Sequence, residues 1–209
     1  NLLLDPLGNG YKILDGSKAV ITVGEQVSPN NKYSLRRGEG KKGTSPNATG
    51  LFAKAWIDHG YAPKNAGYAY AVFPMIGNLE QIAELPELKI IRKDNRAHIV
   101  EDSNSQTMAY ACFEAGAFKD GVLESVSVPC YVMVKQGDTL TVAVANPDLN
   151  QIEDPVKGHY NGDSREAPVT LRLAGHWKLK VSAEAGTQAD GDSTILTVRC
   201  IDGKSVVVE

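Results

Sequence analysis

Apolar and polar residues alternate along most of the chain in short runs, and Gly, Asn, Asp and Pro interrupt them. Period-two alternation puts one apolar face on each run, which is the signature of a half-buried strand. Leu2–Leu4, Tyr11–Leu14 and Ala19–Val23, separated by Gly8-Asn9-Gly10 and Asp15-Gly16, predict a β-meander. Leu51–Asp58 reads as a further strand and Tyr68–Phe73 as its antiparallel neighbour, with Gly60, Pro63, Lys64 and Asn65 supplying the turn. The pattern changes only at Asn78-Leu79-Glu80-Gln81. There an N-cap residue precedes an amide at the third helical position, which predicts one short helix near 78–85. Its apolar face is Leu79, Ile82 and Ala83, and Pro86 disfavours helix at Leu85.

Beyond the charged patch Arg92-Lys93-Asp94-Asn95-Arg96 no helical period returns. Strand-like runs follow at Thr107–Glu114, Cys130–Lys135, Thr139–Ala145, Val169–Leu173, Trp177–Ser182, Thr194–Cys200 and Val206–Val208. Leu140, Val142 and Val144 share one face, as do Leu171 with Leu173, and Trp177 with Leu179 and Val181. One apolar face per strand implies sheet packed on sheet. The expectation is an all-β chain, with residues 1–94 forming one part and 95–209 a β-sandwich.

Composition adds bounds. The chain has 209 residues, 42% hydrophobic and 22% charged, so a packed core is expected and disorder is not. A net charge of −3 gives no general attraction to nucleic acid or to an anionic membrane. No apolar run reaches the roughly 20 residues of a membrane helix. The opening Asn1-Leu2-Leu3-Leu4-Asp5-Pro6 begins as if inside a strand, so a fragment or processed product is expected. Cys112, Cys130 and Cys200 are widely spaced and odd in number, with no metal-site pattern, and read as buried strand thiols. No cofactor or metal is expected.

Two stretches could carry chemistry. The polar segment Ser28–Gly50 contains Arg36, Arg37, Lys41 and Lys42, whose cationic groups suit carboxylates or sulfates on a polyanionic sugar as well as they suit plain solvation. Trp56–Tyr70, WIDHGYAPKNAGYAY, concentrates aromatics around Asp58, His59 and Gly60. A general base at His59 would need a substrate proton within hydrogen-bond reach, whereas a structural histidine needs only satisfied ring nitrogens. Tyr61, Tyr68 and Tyr70 offer faces for sugar rings, but Tyr68 and Tyr70 share a strand face and equally suit packing between layers. Asp148, Glu153, Asp154 and Asp163 lack the spacing of a calcium loop. No GxSxG, HExxH or phosphate-cradling glycine loop is present. On these residues alone a non-catalytic carbohydrate-binding module and a structural β-sandwich both remain open.

Ala55-Trp56-Ile57-Asp58-His59-Gly60-Tyr61-Ala62-Pro63-Lys64-Asn65-Ala66-Gly67-Tyr68-Ala69-Tyr70 closely resembles a motif in the β portion of family-eight polysaccharide lyases. The Ala-Trp-Ile-Asp-His variant is most similar to that of the chondroitin sulfate ABC type. Gly8-Asn9-Gly10-Tyr11, Leu88–Ile99 and Ala143–Asn150 agree in order and spacing. The resemblance implies the last strands of an antiparallel β supersandwich (1–94) followed by a smaller C-terminal β-sandwich (95–209). It further implies a bacterial secreted or periplasmic enzyme that cleaves chondroitin or dermatan sulfate, or hyaluronan, by β-elimination at uronates. The partners it implies are the glycosaminoglycan and an N-terminal catalytic toroid of the same enzyme, with no nucleic acid or membrane. The family's catalytic residues lie in the toroid and earlier in the supersandwich, so no catalytic residue is assigned here. Trp56, Asp58, His59, Gly60, Pro63, Asn65, Tyr68 and Tyr70 are expected to form a structural hairpin motif, and Arg36, Arg37, Lys41 and Lys42 to face the sugar.

Overall fold

The computed structural model describes residues 2–28, 48–85, 87–149, 152–153, 160–161, 165–180 and 182–209. Every strand pairing in it is antiparallel, so the alternation in the sequence becomes a set of ladders with one face turned inward. The chain divides into Asn1–Glu84 and Leu85–Glu209.

The first unit holds β1 (Leu2–Leu4), β2 (Gly10–Ile13), β3 (Ala19–Ser28), β4 (Ala48–Ile57), β5 (Tyr70–Phe73) and helix α1 (Leu79–Ala83). β2 lies between β1 and β5 in a three-stranded sheet, and β3 and β4 form a separate two-stranded ladder from Ala19↔Ile57 to Ser28↔Ala48. The expected hairpin between residues 51–58 and 68–73 is therefore not formed: β4 pairs with β3, and β5 pairs with β2. Both exchanged pairings satisfy the same alternation, which fixes a strand's face and not its neighbour. The Asn78 side chain accepts the Gln81 amide at 2.9 Å, so the helix starts as its cap predicts.

The resembling segment Gly8-Asn9-Gly10-Tyr11 has a concrete role here. The Asp5 carboxylate accepts hydrogen bonds from the amides of Leu7 and Asn9, the Asn9 side chain and the Tyr11 hydroxyl, at 2.8–3.0 Å. Asn9 then accepts from the Met75 amide at 3.3 Å, and the Gly8 carbonyl accepts from the Ile76 amide at 2.8 Å. The knot joins the β1–β2 turn to the segment after β5.

The second unit contains β6 (Leu88–Lys93), β7 (Ala97–Asp102), β8 (Thr107–Cys112), β9 (Gly116–Asp120), β10 (Leu123–Val126), β11 (Cys130–Gln136), β12 (Leu140–Ala145), β13 (Ile152–Glu153), β14 (Tyr160–Asn161), β15 (Glu166–Ala174), β16 (Ala185–Asp190), β17 (Ser193–Ile201) and β18 (Val206–Val208). A six-stranded sheet in the order β18-β12-β11-β8-β7-β6 opposes a five-stranded sheet in the order β16-β17-β15-β10-β9. A boundary at 94/95 falls inside the β6–β7 hairpin, whose two strands both belong to the six-stranded sheet.

The inner faces of the two sheets build one core. Ile99, Val132, Val142 and Val144 from the first sheet meet Leu123, Val169, Leu171 and Val198 from the second. Leu140, Val142 and Val144 are buried as their alternation predicts, as are Leu171 and Leu173. Trp177–Lys180 is not the strand that its alternation suggests. The run is irregular, with the Trp177 amide donating to the Thr194 hydroxyl and the Lys180 amide to the Glu209 carbonyl, while Leu179 still packs against the core. Only Leu179 of the expected apolar face is drawn inward, and Trp177 stays exposed.

The Arg92-Lys93-Asp94-Asn95-Arg96 patch is a structural clamp. The Arg92 and Arg96 guanidinium groups lie 5.6 and 5.4 Å from the centroid of the Phe118 ring. Arg92 pairs with Asp120 at 2.9 Å, and Arg96 pairs with Glu114. Asp94 caps the turn by accepting the amides of Arg96 and Ala97 at 2.8 and 2.9 Å. These contacts tie the β6–β7 turn to β9 in the opposing sheet.

Candidate functional site

The motif residues between Trp56 and Tyr70 bridge the end of β4 and the start of β5. Asp58 sits one residue past β4, where its amide donates to the Lys18 carbonyl at 3.0 Å and its carboxylate accepts the Gly60 amide at 2.9 Å. That Asx-type closure turns the chain. Gly60 has φ +73°, a backbone conformation open to glycine at no steric cost. Ala62 and Asn65 also take positive φ values of 48° and 54°, so the turn that contains Pro63 is tightly wound.

The turn returns the chain to a row of rings. His59 and Tyr68 have centroids 6.5 Å apart, and Tyr68 and Tyr70 have centroids 6.0 Å apart with planes 26° from parallel. Tyr68 and Tyr70 therefore share a face, as their spacing implies, although Tyr68 precedes β5. Burial departs from expectation: in this chain Trp56 is 46% exposed, Tyr68 57% and Tyr70 48%. For Trp56 the reason lies in the pairing, because within the first unit the β3–β4 ladder has no second layer among the described residues.

What this arrangement can do follows from its surfaces. Stacked, half-exposed rings offer apolar faces edged by hydroxyls, which suit the C–H faces of sugar rings. The arrangement does not resemble a proton-transfer site. Among the described residues no hydrogen bond or ion pair orients the His59 ring, and a base needs such an orienting partner to hold its proton geometry. Arg36, Arg37, Lys41 and Lys42 lie outside the described residues, as do Asp154 and Asp163. Asp148 is described and pairs with Arg165 at 2.9 Å. Among the described residues no group of His, Cys, Asp and Glu side chains could hold a metal ion.

The clearest perturbed groups lie in the second unit. The Tyr110 hydroxyl is held well above its ordinary pKa by burial and donates to the Asp120 carbonyl at 2.7 Å. The Glu124 carboxyl is lowered by the Ser193 hydroxyl and then by Arg172, which also pairs with Asp190. These groups brace strands and do not converge on a cleft. The ring row could have been anticipated from the period-two placement of Tyr68 and Tyr70. The Phe118 clamp could not, because its partners come from separate hairpins.

Residues 89–154 match the model of the polysaccharide lyase family 8, C-terminal beta-sandwich domain. This chain carries a C-terminal β-sandwich domain of polysaccharide lyase family 8. It is homologous to chondroitin sulfate lyases over most of its length. It is 31% identical over 207 residues to a chondroitin sulfate ABC endolyase of Proteus vulgaris, covering 93% of this chain and 18% of that protein. A chondroitin sulfate ABC exolyase of the same organism is 33% identical over 178 residues, covering 84% of this chain and 16% of that protein. The fold recurs in a Paenibacillus xanthan lyase with a TM-score of 0.65 at 15% identity, covering 96% of this chain and 18% of that one. The chain thus spans under a fifth of the length of these relatives. Among the described residues, the all-β architecture with one short helix fits the C-terminal β-sandwich region of such a lyase.

Proposed function

We propose that the whole protein is a bacterial secreted or periplasmic lyase that cleaves chondroitin or dermatan sulfate, and by extension hyaluronan, through β-elimination at uronates. The observation that carries this reading is the 31% identity to a chondroitin sulfate ABC endolyase across 93% of this chain. In such a reaction a base removes the C5 proton of the uronate while its carboxylate is neutralised. An acid then protonates the departing C4 oxygen. Each task needs a positioned group within hydrogen-bond reach of the reacting atoms. Among the described residues the His59 ring has no orienting hydrogen bond, and the resemblance to family-8 lyases implies that the base, acid and neutralising groups lie in an N-terminal toroid and earlier supersandwich strands. The chain described here supports one wall of the substrate cleft, with Arg36, Arg37, Lys41 and Lys42 directed toward sulfates and carboxylates.

The test compares the full-length protein with this 209-residue chain. Each is given chondroitin sulfate, dermatan sulfate, hyaluronan or xanthan, and the ultraviolet absorbance of unsaturated uronate is followed. Turnover of the first two by the full-length protein, and none by the shorter chain, is the expected result. Turnover of xanthan alone, or full activity of the shorter chain, would overturn the proposal.

A further inference from the structure

Cys112 closes β8 and Cys130 opens β11, and the two residues stand directly opposite each other in an antiparallel ladder. The phase of that ladder can be read from its far end. The Gln136 amide donates to the Gln106 carbonyl at 3.0 Å, and this pair lies an even number of positions from Cys130 and Cys112. Antiparallel partners alternate between hydrogen-bonded and non-hydrogen-bonded types, so Cys112 and Cys130 form a hydrogen-bonded pair with Cα atoms about 5.5 Å apart. A disulfide spans Cα separations of about 4.4–6.8 Å, most often near this value.

Both side chains point into the core, with 4% and 1% of their surface exposed, and neither is in a disulfide. A side-chain hydrogen bond links the two thiols. That bond lowers the Cys112 pKa, with Arg92 adding to the effect, while the same bond and burial raise that of Cys130. The Arg92 charge thus favours the thiolate at Cys112. Cys200 belongs to the opposite sheet on β17, and its sulfur lies 3.8 Å from the Val144 carbonyl.

We propose that Cys112 and Cys130 are a redox modification site, closing into a reversible cross-strand disulfide on encounter with a small-molecule disulfide oxidant and leaving Cys200 as the free thiol. The Cys112 thiolate attacks one sulfur of the oxidant and forms a mixed disulfide, releasing the first reduced thiol. The Cys130 thiolate then attacks Cys112 Sγ, and the second reduced thiol leaves. Two cysteine S–H bonds are lost and one S–S bond is gained. The two electrons and two protons pass to the oxidant, which ends as two thiols. Because both sulfurs are buried, exchange proceeds through opening of the β8–β11 ladder.

The native reduced chain is held with excess oxidised glutathione, at a urea concentration just below its unfolding midpoint. Remaining thiols are trapped with iodoacetamide, and each cysteine is located by peptide mass mapping. The expected result is a linked Cys112–Cys130 peptide pair with Cys200 alkylated, reversed by dithiothreitol. Three alkylated cysteines, glutathione adducts without an internal bond, or a bond to Cys200 would each overturn the proposal. Cys200→Ser should retain the linkage and Cys112→Ser should abolish every internal bond. If Cys112→Ser does not fold, the Cys200→Ser result decides.

Discussion

Gly121 shows how much a single position carries in the sandwich. It turns β9 into β10 with φ +68°, and an added Cβ would lie 2.3 Å from Met108 Sδ and 2.9 Å from the Tyr110 hydroxyl. That hydroxyl is already committed to the Asp120 carbonyl. Gly121→Ala combines a left-handed backbone cost with overpacking and is expected to destabilise the second unit by about 2–4 kcal/mol. Urea denaturation followed by tryptophan fluorescence at Trp177 would measure it. His59 is the opposite case. It is exposed and unoriented, so His59→Ala in the full-length protein is expected to leave kcat within about threefold, where loss of a general base costs about 10²–10⁴-fold. A hundredfold fall with an unchanged melting temperature would return His59 to the catalytic machinery.

Among the elements, the ten-residue strands β3 and β4 stand out. Among the described residues they pair only with each other, yet Ile21, Val23, Leu51 and Trp56 on them are exposed. A two-stranded ladder without a covering layer is marginal in water. Amide hydrogen exchange on this chain should therefore show β3–β4 exchanging orders of magnitude faster than the inner strands β11, β12, β15 and β17. Comparable protection in both sets would show that the ladder has a stability of its own. Period-two alternation made many strands legible in both units, although β7, β9, β10 and β16 were not among them. Partner choice was not: the same pattern fits β4 against β5 or against β3, and only the three-dimensional arrangement separates them. Trp177–Lys180 teaches the complementary lesson, since its sequence alternates like a strand while the segment is irregular and only Leu179 turns inward.

Over the whole molecule, all buried hydrophobic side chains among the described residues lie between Ala97 and Val208, so the self-sufficient core belongs to the second unit. Its surface is held by charged contacts with a definite pH signature. Hydrogen bonds lower the carboxyl pKa of Asp94 through the Ala97 amide, of Asp102 through the Ser105 hydroxyl, of Glu124 through the Ser193 hydroxyl and of Glu209 through Lys180. A carboxylate depressed on folding contributes stability above its unfolded pKa, and loses it as pH falls through the folded value. The melting temperature is thus expected to be level from about pH 7 to pH 5 and to drop below about pH 4. Added salt should weaken the trend, because the groups are solvent-exposed. Calorimetry across that range would check it. The sequence by itself determined the all-β class, the inward faces of Leu140–Val144 and Leu171–Leu173, a short capped helix and the kinship with family-8 lyases. All of these rest on periodicity, capping and local motifs, which are properties of neighbouring residues. Tertiary structure alone decided which strands pair, that the Arg92-Arg96 patch grips Phe118, that Cys112 meets Cys130, and that the Trp56–Tyr70 aromatics stand uncovered. Each of these depends on contacts between distant segments, and local alternation is silent about which distant segment arrives.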